Sequence, residues 1–461
     1  MKTECNTEQL EFHSFGRREI IGQFDGIKIS SDGGGILLRE VEKRTGILRR
    51  LSQCFTDYRN PEMITHSLES LISQRIMALA LGYEDLNDHD VLRHDALLSV
   101  LSGKSNGKMG AGKSTLNRLE LTPATGSSSS RYKKIVANSD AMDELLIDFF
   151  QKSFSEVPEE IVLDVDATDD LIHGTQQGRF YHGYYRSYCY LPLYIFCGEQ
   201  LLCARLRTAD QDGAAGTKEE LERIVRRIRQ SWPDVRIVVR GDSGFCRDEI
   251  MTWCEHEENR VDYVLGLAKN SRLKTLLEEE MEQAKQEHEQ TEKAARVFKD
   301  FHYQTRNSWS RSRRVVGKAE YLSKGENPRF VVTTLSEEKA DARSLYEDIY
   351  CARGDMENRI KEQQLALFAD RTSCHEMRAN QLRLYFSSFA YVLLQTLRRI
   401  GLKETELAKA QSETIRLKLL KIGTRIKISV RKIWLSFSES YPYADLLRQV
   451  LGNLQKIPIR C

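Results

Sequence analysis

Residues 159–168 read EEIVLDVDAT. A short apolar, β-branched run that ends in acids is the pattern of a buried strand. Side chains alternate along a strand with period two, so Asp164 and Asp166 share one face. A second such run, VRIVVRGD (235–242), delivers Asp242 at its exit. Between the two runs, SYCYLPLYIF and QLLCARLR are joined by CGEQ and read as a hairpin, and TKEELERIVRRIRQSW spaces its apolar residues as an amphipathic helix. Beyond the second run, CRDEIMTWCEHE reads as helix and VDYVLGLA as strand. The order β-β-β-α-β-α-β describes an α/β core whose first part spans 151–270.

Outward from this core the pattern changes. Residues 1–150 read as mostly helical, with HSLESLISQRIMALALGY (66–83) placing Leu68, Leu71, Ile72, Ile76 and Leu79 at helical spacing. Residues 271–338 interrupt the core with a charged helix and three strand-like pieces, ARVFKDFHYQTR, SRRVVGKAEYL and PRFVVTTL. Helices resume over 339–400, a second part of the core. In the basic region 401–461, RIKISVRKIWLSFS reads as a late strand.

With 461 residues the chain has length for two or three domains. At 40% hydrophobic and 30% charged residues it has the composition of a globular protein. No apolar run approaches the roughly 20 residues that span a bilayer. MKTECNTEQLEF lacks the apolar centre of a signal peptide, so a cytoplasmic location is expected. The ten cysteines form no C-x-x-C pair, which argues against a zinc knuckle or a redox motif. The net charge is only +2, but eleven Lys or Arg face three Glu between Arg398 and Lys432, a segment suited to a polyanionic partner.

One motif points elsewhere. GKMGAGKST (107–115) satisfies G-x-x-x-x-G-K-[ST] through Gly107, Gly112, Lys113 and Ser114. A phosphate loop follows a buried strand and opens a long helix. Here HDALLSVLSG precedes it with helical spacing, and STLNRLEL lasts about two turns before Pro123. A flexible basic loop touching DNA phosphates fits those flanks better. A P-loop ATPase, with IVLD (161–164) as its acidic strand, stands as the alternative.

The carboxylates at the strand ends carry more. Oxygen-rich groups that meet across adjacent strands suit hard divalent ions, although strand-end Asp residues are also ordinary turn formers. In YCARGDMENRIKE, Tyr350, Arg353, Glu357 and Lys361 recur at helical spacing and lie along one face. Alone, that stripe reads better as a solvated face with i, i+4 ion pairs.

Together these residues resemble the DDE transposases of bacterial insertion sequences, the group with a Tyr-Arg-Glu-Lys type signature. The resemblance covers roughly 159–435 and rests on three motifs in order: VLDVDATDDLIHGTQQG, VVRGDSGF and Tyr350-x-x-Arg353-x-x-x-Glu357. It implies an RNase H-like core with a largely β insertion. Asp166, in Asp166-Ala167-Thr168, is similar to the first catalytic acid, with Asp164 as runner-up; Asp242 and Glu357 match the second and third. The three acids would hold Mg2+, two ions, for which Mn2+ can substitute. Tyr350 and Arg353 match positions that contact DNA phosphate. The signature's Lys position falls on Gln364, and Lys361 lies one helical turn earlier.

The resemblance further implies metal-dependent cleavage at element ends and strand transfer into target DNA. The partners would be double-stranded DNA (terminal inverted repeats and target) and a second copy of the chain, since two ends must be paired. The location would be cytoplasmic, associated with the nucleoid when on DNA. An RNase H-fold nuclease without strand transfer, and a silent DNA-binding remnant, are the neighbouring alternatives. Trp309, beside Arg306, Arg311, Arg313 and Arg314 in RNSWSRSRR, could stack on an unpaired base while the arginines hold the backbone, or be an ordinary sheet residue. The region 1–150 is the candidate for recognising the DNA ends.

Overall fold

The structure is a computed structural model that describes residues 9–24, 27–104 and 108–459. The chain folds as two units. One gathers Met1–Arg49, Pro61–Asn117 and Thr396–Cys461; the other gathers Arg50–Asn60 and Arg118–Gln395.

The second unit is a mixed α/β fold around a nine-stranded sheet. Its main strands are β1 (Glu160–Ala167), β2 (Leu193–Cys197), β3 (Gln200–Arg205), β4 (Arg236–Gly241), β5 (Val261–Leu267), β6 (Ala295–Tyr303), β7 (Arg313–Leu322) and β8 (Arg329–Thr333). They lie in the order β3-β2-β1-β4-β5-β8-β7-β6, with the two-residue strand Gly325–Glu326 on β7. β1, β4 and β5 run parallel, and the remaining pairings are antiparallel. The parallel connections pass through helices α1 (Thr217–Ser231) and α2 (Asp248–Glu255).

Alternation gives the sheet two dry faces. Ile161, Leu163, Val165, Ile237 and Val239 pack with Ile224 and Ile228 of α1 and Met251 of α2. The opposite face sends Val238, Val264, Val316 and Val331 against Leu345 and Tyr346. A parallel strand covered on both sides must be apolar on both sides, so a charge on the second face requires a reason. Asp164, Asp166 and Arg240 are on that face.

Three expectations change. SYCYLPLYIF is not one strand: Ser187–Tyr190 joins a separate small sheet with Asp170–Leu171 and Phe180–His182, and only Leu193–Cys197 enters the large one. The three strands expected as an insertion continue the main sheet, because β8 pairs with β5. The terminal regions are less purely helical than their sequence suggests. QLEFHSF and REIIGQ form an exposed hairpin, Gln9–Phe15 with Arg18–Gln23. RIKISVRKIWLSFS is a hairpin too, Thr424–Ile428 with Ile433–Phe437, and Ile29–Ser30 adds to its edge.

In the first unit, Leu68–Leu81 is a nearly all-buried helix started by Ser67, whose hydroxyl accepts from the Ser70 amide. Gly34 allows a close backbone approach: a Cβ there would stand 1.9 Å from the Leu419 carbonyl oxygen. Among the described residues no helix is long and apolar enough to cross a membrane.

Candidate active site

β1 and β4 are in register, with Arg240 opposite Asp164. The Arg240 guanidinium donates through Nε and Nη2 to both Asp164 oxygens at 2.5 and 2.8 Å. Burial pushes the Asp164 carboxyl above its ordinary pKa, against the pull of Arg240. Asp164 is therefore committed to a buried bidentate pair. Two residues on, Asp166 remains half-buried at the strand's end, its Oδ1 accepting from its neighbour's amide on Ala167.

The chain that crosses this face is an irregular helix. Leu345–Tyr350 is π-helical, Cys351–Arg353 makes one tight turn, α3 (Gly354–Lys361) is regular, and Glu362–Ala366 is π-helical again. The single regular stripe expected from Tyr350 to Lys361 is thus divided. π-Helical insertions gather at functional sites.

This irregular helix brings Arg353 to the end of β1. Arg353 Nη1 lies 3.3 Å from Asp166 Oδ2, and its Nη2 3.5 Å from Glu357 Oε1. Burial lowers the guanidinium's pKa, but Asp166, Tyr350, Asp242 and Glu357 outweigh it and raise it overall. The Asp166 carboxyl is pushed up to about 6, first by burial, with Asp242 and Glu357 adding to the shift and Arg353 opposing it. Asp242 follows Gly241 at the end of β4, and its Oδ1 accepts from the Gly244 amide at 2.7 Å in a tight turn. The charges of Asp242 and Glu357, both distant in sequence, thus act on Asp166.

Tyr350 packs over β5. A Cβ at Gly266 would sit 2.5 Å from the Tyr350 hydroxyl, so only glycine leaves room for it. The cleft beside it, about 280 Å³, is lined by Ser243, Gly266, Lys269, Arg329 and Tyr350 among others. Lys361 is exposed on α3. Gln364 turns the other way, donating to Asp170 Oδ1 at 2.9 Å and to the Asp169 carbonyl at 3.2 Å.

The insertion residues are placed differently from the stacking expectation. Trp309 is 6% exposed and meets Tyr303 edge-on at 5.8 Å. Arg313 is buried in ion pairs with Asp248 and Glu255. Arg314 pairs with Asp300 and donates to the Leu335 and Ala340 carbonyls. Arg311 is exposed, 3.3 Å from Glu255. Of the two readings of Trp309, the geometry is that of a structural residue: from the loop between β6 and β7 its ring packs into the core beside Tyr303.

The phosphate-loop match has no phosphate-loop setting. Gly107 lies outside the described residues. The segment before it is the helix Ala96–Leu101, and the helix that follows, Lys113–Glu120, has eight residues. Lys113 is held by Asp90 at 3.3 Å and Asn87 at 3.2 Å. Sequence reading missed Arg240, although a charge in the middle of VRIVVRGD calls for a buried partner.

The family model described as "Transposase DDE domain group 1" matches residues 12–459. The chain belongs to this family. DDE transposases as a group use divalent metal ions. A solved structure, the synaptic complex of piggyBac transposase with hairpin DNA, is similar at a TM-score of 0.42 and 11% identity, over 93% of this chain and 86% of that one. No curated protein matches the chain.

Among the described residues no three His, Cys, Asp or Glu side chains form a ready metal cluster. The donor chemistry nonetheless fits a hard divalent ion. All three acids offer oxygen only, and the cationic Arg353 already bridges two of them.

Proposed function

We propose that this transposase cuts DNA at the ends of its element and joins the freed 3′-hydroxyl to target DNA. Asp166, Asp242 and Glu357 are the acids of the reaction. The observation that carries this reading is the contact of Arg353 with Asp166 and Glu357, which draws acids from a strand and a distant helix to one place. The strand order β3-β2-β1-β4-β5, followed by the helix with the third acid, supports an RNase H-like core. Tyr350, Arg353 and Glu357 support the Tyr-Arg-Glu-Lys signature of bacterial insertion sequences, with Lys361 in the place of its Lys.

The acids would hold two Mg2+ ions, or Mn2+, which when bound activate the attacking oxygen and stabilise the leaving one. The chain supplies position and charge. Asp164 and Arg240 fix the end of β1 through a buried pair, so that Asp166 enters the site from a rigid strand. Arg353 holds the site's carboxylates together before DNA arrives. Its planar guanidinium then suits a two-pronged contact with a backbone phosphate. Tyr350, seated over Gly266, borders the same path.

The N-terminal region (1–150) recognises the terminal inverted repeats, the basic segment 398–432 touches flanking DNA, and two copies pair two ends. Excision of a marker flanked by the gene's own bordering DNA tests the reading. Wild type and Lys113→Ala should excise, and Asp166→Asn, Asp242→Asn and Glu357→Gln should not. Excision by Asp242→Asn would end it.

A further inference from the structure

The small sheet beside the active site carries an unusual surface. Its segment 179–190 reads RFYHGYYRSYCY. The strands Phe180–His182 and Ser187–Tyr190 pair across a four-residue turn closed by the Arg186 amide donating to the His182 carbonyl. Tyr184 at the tip is 84% exposed, Tyr181 56% and Tyr188 45%. Exposed aromatic side chains gathered on one hairpin mark a binding surface rather than a core.

Geometry and charge say what kind. Tyr181 and Tyr188 meet edge-to-face at 5.5 Å, and Tyr184 and Tyr185 at 5.0 Å. The Arg179 guanidinium lies 3.9 Å over the Tyr188 ring. Arg179 and Arg186 are both exposed. Aromatic faces interleaved with arginine match nucleobases beside phosphates. The hairpin is also tied to the acids: Asp170–Leu171, four residues past Asp166, pairs with its returning strand. The Tyr185 hydroxyl is pushed up to about 12 by burial and by the charges of Asp169 and Asp166.

We propose that the hairpin 179–190 is a stacking platform for unpaired nucleotides at the cleavage site, with Tyr181, Tyr184 and Tyr188 as the rings and Arg179 and Arg186 on the backbone. The proposal rests on the transposase reading but has its own readout.

The test is binding of a fluorescent twelve-nucleotide oligo(dT), and of a blunt duplex of equal length, by the full chain in chelator. Stacking is worth about 1–3 kcal/mol per base, or roughly 5- to 150-fold in affinity. Replacing Tyr181, Tyr184 and Tyr188 together by Ala should weaken oligo(dT) binding at least 10-fold and leave the duplex within about 3-fold. The triple Phe variant keeps the rings and should bind as wild type. Equal oligo(dT) affinity in the Ala and wild-type chains would overturn the proposal. So would an equal loss for strand and duplex, or a shift from dimer to monomer by light scattering, which would make the hairpin a contact between copies. Failure of the wild-type chain to excise would sink the transposase reading and leave these binding ratios as they are.

Discussion

Burial disfavours the ionised form of Asp166, and replacing this residue should strengthen the fold. Its carboxyl is raised from an ordinary 3.8 to about 6, chiefly by burial. Its side chain is 16% exposed, so solvent screens little of the effect. Between these values the folded chain binds the proton more tightly than the unfolded chain. Stability from this group is therefore highest below the unfolded value and is lost as pH rises through about 6. At 1.36 kcal/mol per unit, the ionised carboxylate costs about 2 to 3 kcal/mol at pH 8. Asp166→Asn removes the charge while its amide oxygen can still accept from the Ala167 amide. Thermal unfolding in chelator should show the variant melting about 5 °C higher at pH 8. At pH 4, where wild type is protonated when folded, the two should nearly coincide. Adding about 10 mM MgCl2 should raise the wild-type melting temperature and leave the variant unmoved, because an ion that binds only the folded site stabilises it by mass action. A gain of equal size at pH 4 and pH 8 would refute the electrostatic account, and a magnesium shift retained in Asp166→Asn would remove Asp166 from the metal site.

Asp164→Ala leaves Arg240 buried without its bidentate partner and should destabilise the chain by about 3–5 kcal/mol in denaturant unfolding, unlike Asp166→Asn. Trp309→Ala should cost about 3–5 kcal/mol of stability, with excision failing only where the fold does, and Trp309→Phe should recover both. Gly266→Ala should displace Tyr350 and lower excision by on the order of 10-fold. Adding Tyr350→Phe, which removes the hydroxyl that the new methyl meets, should recover part of it. Lys113→Ala should leave excision within about 3-fold and reveal no ATP hydrolysis to lose, because Lys113 is occupied by Asp90 and Asn87.

Much of the core was legible because its signals are local. IVLDVD and RIVVRGD announce strands through β-branched runs, and alternation alone puts Asp164 and Asp166 on one face. Glu357 was singled out by resemblance to a family signature, since its spacing alone reads better as a solvated face. What stayed hidden depends on partners distant in the chain. Trp309 and Tyr184 both have arginines near them in sequence, yet one packs into the core from the loop between β6 and β7 and the other is left at a hairpin tip. No periodicity could separate them, because exposure is set by the sheet and not by the residue. The same holds for Arg240, whose partner lies 76 positions earlier.

Gln364 shows how far one such contact can change a reading. By sequence it marks a departure, a neutral amide where a Lys was expected. In the fold it donates to Asp170, a fully buried acid pushed up to about 8 by burial, with one oxygen left unpartnered. A lysine there would bring a second charge into that interior and favour ionising Asp170. A neutral donor instead suits a protonated acid. The amide thus fits the loop that follows Asp166, while Lys361 is exposed on α3. Gln364→Lys should therefore lower stability at pH 6 more than at pH 9, where the wild-type chain has already begun to ionise Asp170. Equal losses at both pH values would mean that the amide serves only to fill space.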